Sequence, residues 1–431
     1  MKTLHREGFR ALLAGGCVRD MQMGLPASDY DIATNADLET VIRLFPNARE
    51  VGAHFGVVVV KLGEENYEVA RFRKDLGSSD GRHPDRVVFV DEREDANRRD
   101  FTVNGLFYDP VQDRVLDYVG GQADLSKGVI RTIGRPEDRF SEDRLRMLRA
   151  VRFGCRFLWS IDKETYGAIG RLGGKIGSVS QERVRDECIK ILTEGGAPQG
   201  IRWLINLGLM RQVMPEVTAM IGVPQPMLFH PEGDVLTHTL MMLGLMEKPS
   251  PELAMGILLH DVGKAPTFRV ADRIRFHQHP QVGSQIAESL CARLRFSNAQ
   301  IEHIVRLVKD HHLFMHAKQM RQSRLKRFLR TDRFEDHLEL HRVDCLSCHS
   351  SLGNYTFCKH MWETLAPEAI RPEPFVTGHD LIRMGYVPGP VFKTVLTAIE
   401  DAQLEGRVSD REAALELAKV TFRNLGISKG D

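Results

Sequence analysis

The spacing of apolar and polar positions changes character near residue 134. Upstream, short apolar runs bounded by Gly, Asp and Asn predict β-strands at 11–14, 57–62, 67–72 and 87–90. Downstream, apolar positions recur at helical spacing, first in a predicted helix over 141–151, and no segment shows a strand pattern. The pattern therefore predicts an α+β fold, with a mixed head over 1–134 and an all-α remainder.

Stretches rich in proline and glycine mark joints within the helical remainder. They lie at 195–198, 224–226 and 372–374. From these joints we predict a helical neck over 135–205, a helical body over 206–350 and a helical tail over 351–431.

Composition narrows the class of protein. A chain of 431 residues with 42% hydrophobic residues can fill several cores. We find no apolar run near the roughly 20 residues of a membrane span, and the first residues lack the apolar core of a signal peptide. Seven irregularly spaced cysteines indicate reduced thiols. We therefore expect a cytoplasmic protein without a membrane partner, and we infer no protein partner.

The net charge of +1 gives no overall attraction to nucleic acid, so any RNA contact depends on local patches. Two basic segments occur, at 131–156 and 306–330. In the first, arginines alternate with acidic residues, which favours a functional role. For the second, an RNA-binding surface and an ordinary solvated helix face are equal alternatives.

The head contains a candidate metal–triphosphate site. After the first predicted strand, Gly15-Gly16 form a turn at which backbone N–H groups can approach a phosphate closely. Asp29 and Asp31, two apart on a predicted strand, project to one side and repel each other unless a cation lies between them. Glu68, on a later strand, is the candidate third carboxylate. These hard oxygen ligands predict Mg²⁺.

Several motifs resemble one enzyme family. Gly15–Asp20 and Asp29–Thr34 resemble the signature of class II tRNA nucleotidyltransferases and bacterial poly(A) polymerases, within the polymerase β-like nucleotidyltransferase superfamily. Segments similar to four further family motifs follow in order, at 98–106, 117–121, 142–146 and 182–187. The resemblance implies a polymerase β-like head in which an RNA 3′-hydroxyl attacks the α-phosphate of a nucleotide and pyrophosphate leaves. Asp29, Asp31 and Glu68 are the predicted catalytic residues.

The resemblance also implies selection of CTP and ATP by the fourth motif. Asp143 and Arg146 are neighbours if both lie on one helix. Asp accepts from an exocyclic amino group and Arg donates to the adjacent ring nitrogen, a pattern that cytosine and adenine share. Arg149 and Arg152 are predicted to serve the triphosphate, the RNA end or domain packing. The complete predicted nucleotide-binding set is Gly15, Gly16, Arg19, Arg99, Asp143, Arg146, Arg149 and Arg152.

A second group of candidate metal ligands lies in the predicted body. His238, His260, Asp261 and Asp344 follow the order H…HD…D, and such mixed ligands suit a divalent ion that activates water. Segments 258–264 and 276–283 resemble HD-domain phosphohydrolases. His279, with His311 or His312, is a candidate for a further metal or phosphate site. The resemblance leaves open whether the HD fold is a scaffold or a hydrolase.

The leading hypothesis is addition of CCA to tRNA with CTP and ATP. An A-adding enzyme or a poly(A) polymerase would carry the same motifs. The loop at 71–86 resembles one that helps the family switch from C to A, which disfavours an enzyme adding only CC. An HD phosphohydrolase with a nucleotide-binding head, or a non-catalytic RNA-binding protein, fits less well because the carboxylates and the fourth motif are intact.

Overall fold

The computed structural model describes residues 1–27, 29–51, 57–77, 86–227, 230–348 and 350–428. The head strands are β1 (Ala11–Ala14), β2 (Asp31–Thr34), β3 (Ala48–Glu50), β4 (Val57–Leu62), β5 (Glu65–Arg71), β6 (Arg73–Leu76), β7 (Arg86–Phe89), β8 (Leu106–Asp109) and β9 (Arg114–Asp117). Seven of them form one sheet in the order β3-β4-β5-β2-β1-β8-β9. The predicted strands are confirmed, and the mixed head followed by helices confirms the α+β class.

Only one pair in the large sheet is parallel, and it positions the candidate site. Strand β2 runs parallel to β5, with Asp31 in register with Glu68. Strands β6 and β7 form a separate antiparallel pair. They flank part of the predicted loop at 71–86, of which residues 78–85 lie outside the described residues.

Short helices connect the head strands. They are α1 (Lys2–Arg6), α2 (Gly16–Gln22), α3 (Leu38–Leu44), α4 (Glu92–Asn97) and α5 (Gly121–Lys127). Aspartates cap two of them: Asp37 accepts from the Thr40 amide at the start of α3, and Asp91 accepts from the Glu94 amide at the start of α4. Such caps satisfy backbone donors that the first helical turn leaves without partners.

The next segment runs through β10 (Val129–Ile130), α6 (Pro136–Glu142), α7 (Arg146–Phe157), β11 (Ser160–Ile161), α8 (Lys163–Leu172), α9 (Gln181–Thr193) and α10 (Ala197–Asn206). The predicted continuous helix over 141–151 is wrong, because Asp143 is extended with φ −147° and ψ 109°. Its carboxylate accepts from the Leu145 amide at 3.0 Å, and this local bond competes with helix formation.

The remaining elements are α11 (Leu209–Val213), α12 (Pro215–Thr218), α13 (Val235–Leu245), α14 (Pro251–Leu259), α15 (Lys264–Thr267), β12 (Phe268–Val270), β13 (Ile274–Phe276), α16 (His279–Arg293), α17 (Asn298–Asp310), α18 (Gln322–Leu329), α19 (Phe334–Cys348), α20 (Gly353–Thr364), α21 (Pro367–Ile370), α22 (Gly378–Arg383), α23 (Pro390–Leu404) and α24 (Arg411–Asn424). The prediction that no strand follows residue 134 is wrong in two places. Strand β11 pairs with β10, and β12 pairs with β13. These strands are only two or three residues long, too short for a periodic signal.

Three buried clusters organise the helices. The largest includes residues from Phe101 to Val343, so the predicted neck and body share one core. A second, from Phe314 to Cys358, spans the predicted boundary between body and tail, and a third, from Val376 to Phe422, belongs to the tail. Part of the second basic segment joins these regions: Arg327 contacts Glu400 and Asp401 on α23. Those charges therefore serve packing. Within the described residues, no helix has the length and apolar character needed to cross a membrane.

A close backbone approach between the end of α14 and the start of α16 gives a stability prediction. A Cβ on Gly263 would lie 2.1 Å from the His279 carbonyl oxygen and 2.6 Å from the Gly283 amide nitrogen. Because backbone atoms cannot rotate away, we expect Gly263→Ala to lower the free energy of unfolding by about 2 kcal/mol or more. Urea denaturation followed by circular dichroism measures the change.

Gly170→Ala is the matched control, because Gly170 lies on α8 and a Cβ there would have nothing within 4 Å. That change should leave stability unchanged or raise it by up to about 1 kcal/mol. Equal unfolding curves for the two variants would contradict the close approach.

Candidate functional site

A pocket of about 470 Å³ lies where the head meets the neck. Ten of the predicted residues line it, namely Gly15, Gly16, Arg19, Asp29, Asp31, Arg99, Asp143, Arg146, Arg149 and Arg152. Nine further residues, which were not singled out, complete the lining, namely Cys17, Asp20, Arg98, Asp100, Asn104, Leu145, Phe153, Arg156 and Arg183. Seven of these nine, Cys17, Asp20, Arg98, Asp100, Asn104, Leu145 and Arg183, lie inside the motif segments quoted from the sequence. The motifs were therefore the signal that could have identified them.

Three carboxylates lie close enough to perturb one another. Asp31 begins β2 and Glu68 is its register partner on β5, whereas Asp29 precedes the strand, so the prediction that both aspartates share a strand is corrected. Burial raises the pKa of Asp31, Arg99 opposes that shift and Asp29 adds to it. Burial, Asp31 and Asp29 all raise the pKa of Glu68. This mutual repulsion fits a site for a cation.

The glycine turn is packed against an arginine. Gly15 has φ 77°, and a Cβ there would lie 2.7 Å from Arg99 Nη1. Asp95, 1% exposed, holds that guanidinium through Oδ2 at 3.0 Å from Nη2. Glycine at position 15 thus allows both the left-handed turn and the approach of Arg99 to it.

Arg19 connects the turn to the neck. It donates from Nη1 to Asn104 Oδ1 at 2.6 Å and from Nε to Asp20 Oδ1 at 2.8 Å. Its guanidinium carbon lies 5.0 Å from the ring centre of Phe153 and 4.9 Å from that of Phe157, both on α7. These cation–π contacts and its 4% exposure show that Arg19 has a packing role beside any contact with phosphate.

The predicted base-choosing pair lies at the break between α6 and α7. Arg183, on α9, donates to Asp143 Oδ2 at 2.7 Å. Arg146 donates from Nη1 to Glu142 Oε2 at 2.6 Å and from Nη2 to the Arg98 carbonyl oxygen at 3.1 Å. Both side chains are therefore held in place by other motif residues.

Arg149 and Arg152 are bound by carboxylates. Arg149 donates to Asp100 Oδ2 at 2.8 Å. Burial opposes ionisation of Asp100, but Arg149 and a hydrogen bond from Asn104 outweigh it and lower its pKa to about 2. Arg152, 5% exposed, donates to Glu187 at 2.7 Å and Glu194 at 3.2 Å. Of the roles predicted for Arg152, these contacts favour packing.

A second cavity, of about 360 Å³, lies in the body; His260, Asp261 and Asp344 line it, and His238 lies next to Asp344. His238 is on α13 and Asp344 on α19, with His238 Nε2 3.1 Å from Asp344 Oδ1. His260 and Asp261 directly follow α14 and lie outside the helix predicted to carry them. His260 Nε2 is 3.1 Å from Asp261 Oδ2. The fold thus brings all four predicted ligands together.

Residues that the sequence analysis did not select support these ligands. Glu232 Oε1 lies 2.7 Å from His238 Nδ1. Burial disfavours the charged form of His238, but its contacts with Asp344 and Glu232 outweigh burial and raise its pKa to about 9. Lys264 Nζ lies 2.6 Å from both Asp261 Oδ2 and Gln225 Oε1. No spacing rule marked Glu232, whereas Lys264 lay within the segment that resembles HD domains.

Unpaired buried nitrogens make the body centre suitable for a metal. In the described residues, His238 Nε2 and His260 Nε2 are buried and have no hydrogen-bond partner. His260 Nδ1 is 2.8 Å from the Ile257 carbonyl oxygen, which places the proton on Nδ1 and leaves Nε2 as a lone-pair donor. The three groups of described residues whose ligand atoms lie within 4.8 Å of one another all belong to the body.

Family models match three parts of the chain. Residues 11–131 match the family model described as the Poly A polymerase head domain. Residues 159–221 match the probable RNA and SrmB-binding site of polymerase A, and residues 235–339 match the HD domain.

Two relatives and one solved structure show which proteins the chain is similar to. Poly(A) polymerase I of Salmonella typhi is 39% identical over 229 residues, which is 50% of this chain and 49% of that protein. The chain thus matches only about half the length of that relative. The CCA-adding enzyme of Lactobacillus johnsonii is 28% identical over 96% of this chain and 94% of its own length.

Among solved structures, the Bacillus stearothermophilus CCA-adding enzyme in complex with CTP is similar, with a TM-score of 0.73 and 25% identity, covering 99% of this chain and 96% of that one. The domain matches fall in the same order along the chain as the predicted head, neck and body. Over nearly its full length the chain is similar to CCA-adding enzymes, over its first half it is similar to bacterial poly(A) polymerases, and residues 235–339 match the HD domain.

Proposed function

We propose that this protein adds CCA to the 3′ end of tRNA, using CTP and ATP without a nucleic-acid template. The observation that carries the proposal is one pocket with two kinds of group. Asp29 and Asp31 lie on its head side, and Asp143 and Arg146 lie on its neck side. The first pair suits nucleotidyl transfer, and the second suits a choice of base.

The head carboxylates would hold the metal of the transfer reaction. Asp29 and Asp31, with Glu68 beside them, would bind Mg²⁺, which lowers the pKa of an attacking hydroxyl and stabilises charge on a leaving pyrophosphate. The Gly15-Gly16 turn and Arg99 would bind the phosphates. The turn would let backbone N–H groups approach a phosphate closely, and the Arg99 guanidinium already lies against the turn.

Asp143 and Arg146 would read the base edge. Asp143 accepts from an amino group and Arg146 donates to a ring nitrogen, so cytosine and adenine satisfy both while uracil and guanine do not. The bonds from Arg183 to Asp143 and from Arg146 to Glu142 support a fixed template. The other Asp143 oxygen accepts from the Leu145 amide and Arg146 Nη2 donates to the Arg98 carbonyl oxygen, so a base would use the remaining lone pairs of the carboxylate and the remaining N–H groups of the guanidinium.

The body centre supports a second proposed function, metal-dependent hydrolysis of phosphate esters. His238, His260, Asp261 and Asp344 would hold a divalent ion, which activates water for attack on a phosphate. The specific observation in favour is that Nε2 of both His238 and His260 is buried 3.1 Å from a carboxylate oxygen and, within the described residues, makes no hydrogen bond. Lys264, next to Asp261, offers a positive charge to an anionic ester.

Transfer assays with three acceptors test the main proposal. Transcripts of tRNA ending before CCA, after C and after CC are incubated with CTP, ATP or both. We expect CCA on the shortest acceptor when both nucleotides are present. Extension only after CC would instead indicate an A-adding enzyme, and long A tails on unrelated RNA would indicate a poly(A) polymerase.

Asp31→Asn should abolish transfer in the same assay while tRNA binding persists, because a metal-binding carboxylate is lost. Asp113→Asn is the matched control, since Asp113 is an exposed head carboxylate that accepts from Tyr108 and lies outside the pocket lining. Substantial transfer by Asp31→Asn would remove Asp31 from the catalytic set.

Arg146→Ala should reduce discrimination between nucleotides. Loss of one base-reading contact costs about 1–3 kcal/mol, so UTP and GTP incorporation relative to CTP and ATP should rise about 5- to 150-fold. Arg144→Ala is the control, because Arg144 contacts Ser178 and does not line the pocket. Single-nucleotide incorporation kinetics measure the ratio, and equal ratios in both variants would exclude Arg146 from base selection.

Hydrolysis in the body is tested with a phosphomonoester and a nucleoside 2′,3′-cyclic phosphate in the presence of Ni²⁺, Mn²⁺ or Mg²⁺. We expect activity in the wild type and in Asp31→Asn, and at least a 100-fold loss in His260→Ala/Asp261→Ala, which lacks two ligands. Equal activity in the wild type and the double variant would assign the hydrolysis to a contaminant.

A further inference from the structure

A row of register partners crosses the head sheet from the candidate carboxylates to its edge. Asp31 on β2 is in register with Glu68 on β5, and Glu68 is in register with Val59 on β4. Val59 is in turn the partner of Arg49 on β3, which forms one edge of the sheet. Because directly opposed residues on neighbouring strands point to the same face, Arg49 lies on the face that carries the candidate carboxylates.

Helices cover the opposite face of the sheet. One buried cluster on that face contains Val58, Val60 and Val69 together with Leu4 of α1 and Val41 of α3. Side chains alternate between faces along a strand, so Val59 and Glu68 point to the other face. There Val59 is half-buried and Arg49 is exposed. The face with the candidate carboxylates is therefore open to solvent near β3.

A groove of about 440 Å³ lies on this open face, and its lining includes Asn47, Arg49, Val59, Lys61 and Asn66. Lys61 lies two residues after Val59 and pairs with Asn66, so these side chains share its face. Arg49 and Lys61 are exposed and supply positive charge, and the asparagines supply amide donors and acceptors. The Glu64 carboxylate lies 4.0 Å from Lys61 Nζ but is itself exposed, so solvent weakens that ion pair. Such a groove suits the phosphate and ribose oxygens of a nucleic-acid strand and does not depend on the bases.

The order of the strands gives the transfer reaction a direction. The phosphate-binding turn at Gly15-Gly16 follows β1, and β1 and β5 flank β2 on opposite sides. An in-line displacement places the attacking and leaving oxygens on opposite sides of the phosphorus atom. With pyrophosphate at the turn and the metal between Asp31 and Glu68, the attacking hydroxyl would lie toward β5 and β4. The groove begins at Val59, directly beside Glu68.

We propose that this groove binds the sugar–phosphate backbone of the RNA strand whose 3′-hydroxyl attacks the nucleotide, with Arg49 and Lys61 paired to its phosphates. The proposal rests on the proposed transfer function and adds the path of the acceptor strand to it. Arg49 is two strands beyond Glu68, about 10 Å at the usual strand spacing. About three nucleotides of a strand cover that length at roughly 3.4 Å each. Because phosphate contacts do not read bases, the same groove would hold the strand before and after each addition.

Transfer kinetics with tRNA ending before CCA test the groove on the full-length chain. Arg49→Gln/Lys61→Gln removes both positive charges and keeps polar side chains. We expect KM for tRNA to rise about 2- to 30-fold, because two exposed charge contacts are lost. In contrast, kcat and KM for CTP should stay within about twofold of the parent. Fluorescence anisotropy measures tRNA affinity, and the slope of log Kd against log salt concentration should become less steep by about 1.4.

Lys2→Gln/Arg43→Gln is the matched control. It also removes one lysine and one arginine charge, but Lys2 and Arg43 are exposed on α1 and α3, the helices on the opposite face of the sheet. Its KM for tRNA and its salt slope should equal those of the parent. Equal values in both double variants overturn the groove and leave the transfer function in place, whereas a parent that adds no nucleotide overturns both.

A crosslinking experiment tests where the strand lies. A tRNA ending before CCA carries an aryl azide on the third phosphate from its 3′ end, and mass spectrometry identifies the labelled peptides after irradiation. We expect labels on peptides that contain β3 or β4, and their loss when the azide is moved to the 5′ end. Absence of labels on both strands overturns the path, even where KM rises as expected.

Discussion

A buried set of ion pairs between the second motif and the neck helices stabilises the pocket between head and neck. Asp100 binds Arg149, Arg149 lies 3.8 Å from Glu187, and Glu187 binds Arg152. Removing Arg149 would leave the buried Asp100 carboxylate without its ion-pair partner, a loss that typically costs about 3–5 kcal/mol. Phe101, the residue after Asp100, packs edge-on against Phe153 of α7 at 5.9 Å. The ion pairs and this ring contact fix the head against the neck. The pocket is the gap between the two.

The sequence identified the residues that line this pocket better than it identified the contacts between them. Local alternation predicted β5 as a strand, and the fold pairs Glu68 there with Asp31. The extended backbone at Asp143 and the contacts of Arg19 with the rings of Phe153 and Phe157 were not predictable from local spacing. The Arg183 that binds Asp143 is 40 residues further along the chain, so its contact depends on how α9 folds back against the end of α6. Long-range partners decide such details, and one sequence does not show them.

In the body, too, the sequence identified the candidate ligands but not the contacts that position them. The H…HD…D order predicted which side chains would meet, and the fold brings them together. Glu232, which lies 2.7 Å from His238 Nδ1, precedes α13 in a segment with no periodic pattern. Gly263 has no side chain, so the turn that carries Asp261 can contact the start of α16, where His279 lies. A sequence motif identifies the ligands, whereas backbone contacts of this kind set the distances between them.

The two proposed centres differ in how strongly they would retain an ion. In the head, Asp29, Asp31 and Glu68 keep part of their surface open to solvent and offer only oxygen, so an ion there would complete its coordination with water and nucleotide phosphates. In the body, the imidazoles of His238, His260, His279 and His311 are at most 4% exposed and present nitrogen donors without hydrogen-bond partners. Leaving those atoms unbound is itself unfavourable, so binding there contributes to folding stability. The head would then take up its metal with each nucleotide, while the body would keep its metal as part of the folded protein.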